Sequence, residues 1–298
     1  MNSFICFILL LSITINCSLL ENYVPYRNVL YYADWSIYTG QRNFYPSHID
    51  ANLISHLIFA YLDMDSNGDL ILLDEFADFQ IVTLPEFEDK IKFGEPYGGV
   101  LGAIAILKVK YPHLKIGVSV GGITSFEIFS EVAKDNVKRQ NFAKSIAKFI
   151  NHLGYDFVDI GFPKSLKEED SNYAENFILL LKEVRNELNA FEKNGIRYEL
   201  SITMPIAPIM MDKIQFDKAL PFVNFTNMMT YDLNGEWNSY TGHHTPLYTN
   251  EAYNLETMPG AGLSVDSFIR YLENKYGSTI DMTKIVIGGA PYTRGKQR

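Results

Sequence analysis

From about residue 25 onward, short β-branched and aromatic runs alternate with longer amphipathic stretches. Repeated strand–helix units around a parallel sheet produce this alternation, which makes an α/β fold the expected class. The pattern predicts strands at 29–33, 56–61, 115–120, 157–162, 198–204, 225–231 and 284–288. Between them, Asp135 is placed to cap a helix whose Phe142, Ile146, Phe149, Ile150 and Leu153 share one face, and Gly154 is placed to stop it. A second helix sets Phe177, Leu181, Val184 and Leu188 on one stripe, and a third starts near Ser264 with Val265, Phe268, Ile269 and Leu272 inward. The widest interval, 63–96, is polar and aromatic with two prolines; it reads as a long connection, not as a domain boundary. Closure by eight strands is the standard arrangement for such units, so the expected fold is a TIM-type (β/α)8 barrel with the last β/α unit missing. An open doubly wound sheet is the competing architecture. It is set aside because no glycine-rich phosphate loop follows the first strand.

The chain has 298 residues, 47% of them hydrophobic, enough for a large buried core. Acidic residues exceed basic ones by 35 to 26, and no basic run is interleaved with aromatics, which excludes nucleic acid as the expected partner. A neutral, hydroxyl-rich ligand suits this surface. Residues 4–15 are apolar and too short to span a bilayer comfortably, and small and polar residues follow at Asn16, Cys17 and Ser18. Residues 1–18 are therefore expected to be a signal peptide, ahead of one domain over 26–298, giving a secreted, extracellular product with no membrane attachment once the signal is removed. The absence of Lys or Arg from Met1-Asn2-Ser3 leaves an uncleaved anchor as the alternative. Both cysteines, Cys6 and Cys17, lie in this leader, so the mature chain is expected to carry no disulfide.

Five segments, in order, carry a family resemblance. The first is Leu30-Tyr31-Tyr32-Ala33-Asp34-Trp35 with Arg42-Asn43-Phe44 after it, and the second is His56-Leu57-Ile58-Phe59-Ala60-Tyr61. The third, Ser119-Val120-Gly121-Gly122, has small residues that let backbone approach a ligand. Next come Met229-Thr230-Tyr231-Asp232 through Trp237 and then Thr241 to Tyr248, and last Gly288-Gly289-Ala290-Pro291-Tyr292-Thr293-Arg294. Over about residues 28–295 the chain resembles glycoside hydrolase family 18, the chitinases and their inactive relatives, in its short fungal and bacterial form. That resemblance implies the barrel, a ligand of chitin or another N-acetylglucosamine glycan, and no cofactor.

The family carries Asp-x-x-Asp-x-Asp-x-Glu on the strand that here occupies 157–162. In that register this chain has Asp156 and Asp159, then Gly161 where the third aspartate belongs and Pro163 where the glutamate belongs. In the family scheme the glutamic acid protonates the glycosidic oxygen while the substrate's own acetamido group attacks the sugar carbon, and the third aspartate orients both. Proline has no proton to give, and glycine cannot orient anything. The expectation is a protein without an intact catalytic residue. A true chitinase whose acid has moved to Glu168, Glu169 or Asp170 is the enzyme-class alternative, and a storage or partner-binding scaffold unrelated to glycans is the third.

The resemblance places Tyr31, Trp35, Tyr61, Ser119, Gly121, Gly122, Met229, Tyr231, Asp232 and Trp237 where the family contacts its ligand. Tyr31 and Tyr61 also suit barrel filling, Asp159 a structural hydrogen-bond network, and Trp237 closure of the fold. Ile123 stands where the family often has a tryptophan, and the tryptophan of the eighth strand is also missing, which weakens stacking on a sugar. His243 and His244 are adjacent without spaced acidic or cysteine partners, so no metal is expected. Asn224-Phe225-Thr226 fits a glycosylation sequon but falls at a strand start, where a glycan has no room. A barrel lacking its last unit would leave strand edges unpaired, so the expectation is either self-association through those edges or a shortened gene product.

Overall fold

The computed structural model describes residues 26–40, 42–87, 98–121, 126–161, 172–192, 197–250 and 262–295. All seven expected strands form: β1 (Val29–Ala33), β2 (His56–Met64), β4 (Lys115–Val120), β5 (Phe157–Ile160), β6 (Glu199–Pro205), β7 (Phe225–Met229) and β8 (Ile285–Ile287). A short β3 (Leu70–Ile71) turns back antiparallel on the end of β2. The sheet order is β1-β2-β4-β5-β6-β7-β8, with parallel pairing from β1 to β2 and through β5, β6, β7 and β8. Burial is nearly continuous along β2, β4 and β5. Continuous burial marks strands covered on both faces, as parallel sheets require.

Three strands are shorter than the sequence suggests. β5 ends at Ile160 and β7 at Met229, where the chain passes into the loops beyond, and β8 covers only Ile285–Ile287. β2 runs three residues past Tyr61, since Asp63 and Met64 pair with β3. The 63–96 interval accordingly is not a bare connection. It holds this hairpin, a π-helical turn at Phe76–Gln80 and a 3-10 turn at Pro85–Phe87.

The chain divides into two compact units that interleave in sequence. The first comprises residues up to 60, 74–117 and 153–155. In it β1 pairs with the first half of β2 from Val29↔His56 to Ala33↔Ala60, and the helix Gly99–Lys110 packs on the turn Phe76–Gln80. Gly98 and Gly99 permit that approach: a Cβ at Gly99 would stand 2.1 Å from the carbonyl oxygen of Asp78. The second unit comprises 61–73, 118–152 and 156 onward, with β5 to β8 and the helices between them.

The three helices with clear end signals form where expected. Asn136–Leu153 is capped by Asp135, whose Oδ1 accepts from the N–H groups of Val137 (2.7 Å) and Lys138 (3.0 Å). Phe142, Ile146 and Ile150 on its inner face are fully buried. Tyr173–Phe191 buries Phe177, Leu181, Val184 and Leu188, and Val265–Tyr276 opens with a reciprocal cap between Ser264 and Ser267. No helix among the described residues is long and apolar enough to cross a membrane; the leader at 1–18 lies outside them.

Gly154 ends its helix with φ at +68°, and a Cβ there would meet nothing within 4 Å. The cost of a side chain at this position is therefore conformational alone. Gly154→Ala is expected to lower stability by about 1 kcal/mol in urea unfolding, and Gly154→Asn by less, because asparagine tolerates the left-handed region.

Candidate functional site

Alternation along β5 turns Asp159 to the interior, where it is wholly buried. Its Oδ2 accepts from Ser119 Oγ on β4 (3.0 Å) and Thr203 Oγ1 on β6 (2.9 Å). Its Oδ1 accepts from Ser201 Oγ on β6 (2.6 Å) and Asn227 Nδ2 on β7 (3.2 Å). The register makes this possible: Asp159 lies opposite Ser201, and Thr203 opposite Asn227, so two residues of β6 facing the same side bracket one carboxylate. Four donors match the lone pairs a carboxylate offers. Asp159 thus ties three neighbouring strands to its own. Asp156, half-buried just before β5, accepts the Glu199 N–H at its backbone carbonyl (3.0 Å).

Immediately beyond β5, the Gly161 N–H donates to the Val120 carbonyl (2.9 Å). A Cβ on Gly161 would stand 2.7 Å from the carbonyl oxygen of Gly121 and 3.3 Å from that of Val120. Gly121 itself has φ at +83°, a conformation that favours glycine. The space that a third aspartate's side chain would enter is taken by the backbone at the end of β4. Pro163 lies outside the described residues, as do Gly122, Ile123 and the alternative acids Glu168, Glu169 and Asp170.

A second cluster forms after β7, around Asp232, which has φ at +56°. Arg294 grips its carboxylate with Nε and Nη2, each at 2.8 Å; Tyr292 Oη donates at 3.0 Å, and His244 Nε2 lies at 2.6 Å. The Arg294 bonds hold the Asp232 carboxyl far below the usual carboxylate range. The guanidinium also lies 5.5 Å from the Trp237 ring centre and 5.3 Å from that of Tyr292, distances suited to cation–π contact. Tyr231 meets Tyr292 edge to face at 6.3 Å, and burial pushes its hydroxyl up to about 12. Asp159 contributes to that shift, so the two clusters feel each other. Trp237 remains 55% exposed.

The structure therefore brings Ser119 and Asp159 together, and Tyr231, Asp232 and Trp237 together. Tyr61 and Met229 are half-buried on β2 and β7. In the first unit Tyr31 and Trp35 are exposed, and the Trp35 N–H donates to Asp34 Oδ1 at 2.8 Å. Sequence reasoning missed Arg294, Tyr292 and His244 as site residues, and Ser201, Thr203 and Asn227 as partners of Asp159. Among the described residues no group of His, Cys, Asp and Glu is arranged to hold a metal; His244 binds Asp232 instead. The Asn224 carboxamide oxygen is engaged by Arg185 and by the Leu200 N–H, and Thr226 is fully buried.

The profile described as "Glycosyl hydrolases family 18" matches residues 27–298. The chain belongs to glycosyl hydrolases family 18. Among family 18 proteins, Chitinase 1 of Aphanocladium album is 28% identical over 276 residues, which are 92% of this chain and 62% of that protein. Chitinase ChiA74 from Bacillus thuringiensis superposes with a TM-score of 0.76 at 27% identity, covering 88% of this chain and 47% of that one. The Ostrinia furnacalis group IV chitinase, solved in complex with allosamidin, gives a TM-score of 0.70 at 26% identity over 88% of this chain and 64% of that one. This chain spans less than two thirds of the length of these relatives. Its parallel strands and helices match the TIM-type barrel of the family 18 chitinases.

Removing the Asp159 carboxylate strands four donors at once. Asp159→Ala is expected to lose about 3 kcal/mol or more in urea unfolding, and Asp159→Asn a smaller part, because its one oxygen still accepts. Asp232 carries the opposite sign of pH dependence from a raised acid. Its folded value is depressed, so its contribution is complete above the unfolded value near 4 and is lost as pH falls below it. Arg294→Met should flatten the acid limb of a thermal-stability profile and leave the neutral limb parallel to the parent's.

Proposed function

We propose that this family 18 member is a secreted, catalytically silent protein that binds chitin or a related N-acetylglucosamine glycan. The observation that carries the reading is at Gly161. The family's chemistry needs a proton donor two residues further on and an orienting carboxylate at this position. Here the donor position is Pro163, and the orienting position is pressed against the Gly121 carbonyl. General acid catalysis contributes about a hundred- to ten-thousand-fold, so its loss removes useful turnover.

What supports binding is the Asp232 cluster. Its carboxylate is committed to Arg294, Tyr292 and His244, which makes it a poor proton donor and a firm support. Tyr231, Tyr292 and Trp237 are fixed around that ion pair, with Trp237 offering an open face. Aromatic faces of this kind are what a sugar ring's C–H surface stacks on. Secretion rests on the leader pattern at 1–18.

Purified protein is expected to release no fluorophore from chitin oligosaccharide substrates while being retained on chitin beads, and Trp237→Ala should weaken that retention about tenfold. Turnover abolished by substituting Glu168, Glu169 or Asp170 would establish a relocated acid instead. No retention on chitin would remove the glycan reading. The paired change Gly161→Asp and Pro163→Glu is expected to lower stability without restoring activity, because a Cβ at position 161 has no room beside Gly121.

A further inference from the structure

Within the first unit, two carboxyl groups are buried against each other. Asp78, in the turn Phe76–Gln80, is 0% exposed, and neither of its side-chain oxygens meets a donor among the described residues. The start of helix Gly99–Lys110 is packed on its backbone. The group its carboxyl reaches is that of Asp34, 4% exposed, at the head of the turn Asp34–Ile37. Two buried carboxylates facing each other repel, while a carboxyl and a carboxylate sharing one proton satisfy each other. Asp34 accepts the Trp35 N–H, which favours the charge on Asp34 and leaves the proton on Asp78.

The other charged and titratable groups that face the pair do not neutralise it. Asp74 is acidic too, and is occupied by the Tyr38 hydroxyl (2.6 Å) and the Ala77 N–H (3.0 Å). Tyr155 donates to the Leu101 carbonyl at 2.8 Å, and burial keeps its hydroxyl un-ionised. The first turns of helix Gly99–Lys110 carry no titratable side chain. Burial, then the Asp34 charge, pushes the Asp78 carboxyl up to about 8.

We propose that Asp34 and Asp78 share one proton at neutral pH, and that this proton positions the Asp34–Ile37 turn and the Trp35 ring it presents. Loss of the proton sets a second charge against Asp34, the residue whose carboxylate holds the Trp35 N–H. Asp34 and Asp78 are therefore positioning residues. They act through Trp35, which is 41% exposed, and as an account of ligand binding the inference rests on the glycan reading above. The stability sign follows from proton counting. Between the unfolded value near 4 and the folded value of about 8, the folded state binds the extra proton, so stability is complete below about 4 and falls as pH rises to 8.

The test needs no ligand. The chain has two tryptophans, so Trp237→Phe leaves Trp35 as the sole reporter. Its emission, followed from about pH 5 to about pH 10, should change with a midpoint near 8. Asp78→Asn should keep the low-pH spectrum throughout and remove the alkaline loss of thermal stability. If Asp78→Asn does not fold, Asp34→Asn serves, since its amide donates to Asp78 and abolishes the same transition. Emission constant with pH, or a transition that survives in a folded Asp78→Asn or Asp34→Asn variant, overturns the proposal. Retention on chitin is measured separately. A Trp35 transition in a protein that binds no glycan leaves the shared proton standing and sinks only the glycan reading.

Discussion

A buried carboxylate must find donors, a cation or a proton, and the organisation of this molecule depends on how that demand is met. Asp159 meets it with four donors drawn from β4, β6 and β7. Because those donors sit on separate strands, the carboxylate acts as a polar tie within a largely apolar core. Apolar packing tolerates small slips, whereas four convergent hydrogen bonds do not. Asp159 thus fixes the strand register that presents everything beyond the ends of β5, β6 and β7.

Three acids show three solutions to one problem. Asp159 takes neutral donors, Asp232 takes a bidentate guanidinium, and Asp78 is left with another carboxyl. The consequences differ in kind. Neutral donors make a structural tie, a cation makes an ion pair that stays charged into acid, and a second carboxyl makes a site that must hold a proton. A carboxyl held so far below its ordinary range by Arg294 keeps its charge, which suits Asp232 to a structural ion pair.

Much of the fold was legible in the sequence, because strand burial and helix amphipathicity are local patterns. The seven strands, the Asp135 cap, the Gly154 stop and the Ser264 start all follow from spacing within a few residues. What escaped is what the fold brings together from afar. Arg294 lies 62 positions from Asp232, and Asn227 lies 68 from Asp159. Nothing in the local sequence marks either pair. The Asp34–Asp78 contact escaped for a second reason: aspartates near strand ends and turns usually cap or face water, and only burial turns one into a proton holder. The partner of His244 could not be named either, because the loop that carries it to Asp232 leaves no periodic trace.

The end of β5 also looks different in three dimensions. From the sequence, Gly161 is a glycine where the family resemblance leads one to expect an aspartate. In the structure it is a packing feature, since the glycine lets the backbone after β5 close to within a Cβ's width of Gly121, itself a positive-φ glycine. It is Gly161 that permits this approach, since a Cβ on Gly121 would meet its neighbours no closer than 3.6 Å and glycine there answers only to the positive φ. Filling the gap again requires one backbone to retreat, and each end is held by its own ladder bond, Gly121 to Leu62 and Gly161 to Val120. The glycine at 161 is thus coupled to the course of the chain. A side chain added at 161 alone leaves that course where it is, so the added atoms must be met by movement of one backbone or the other.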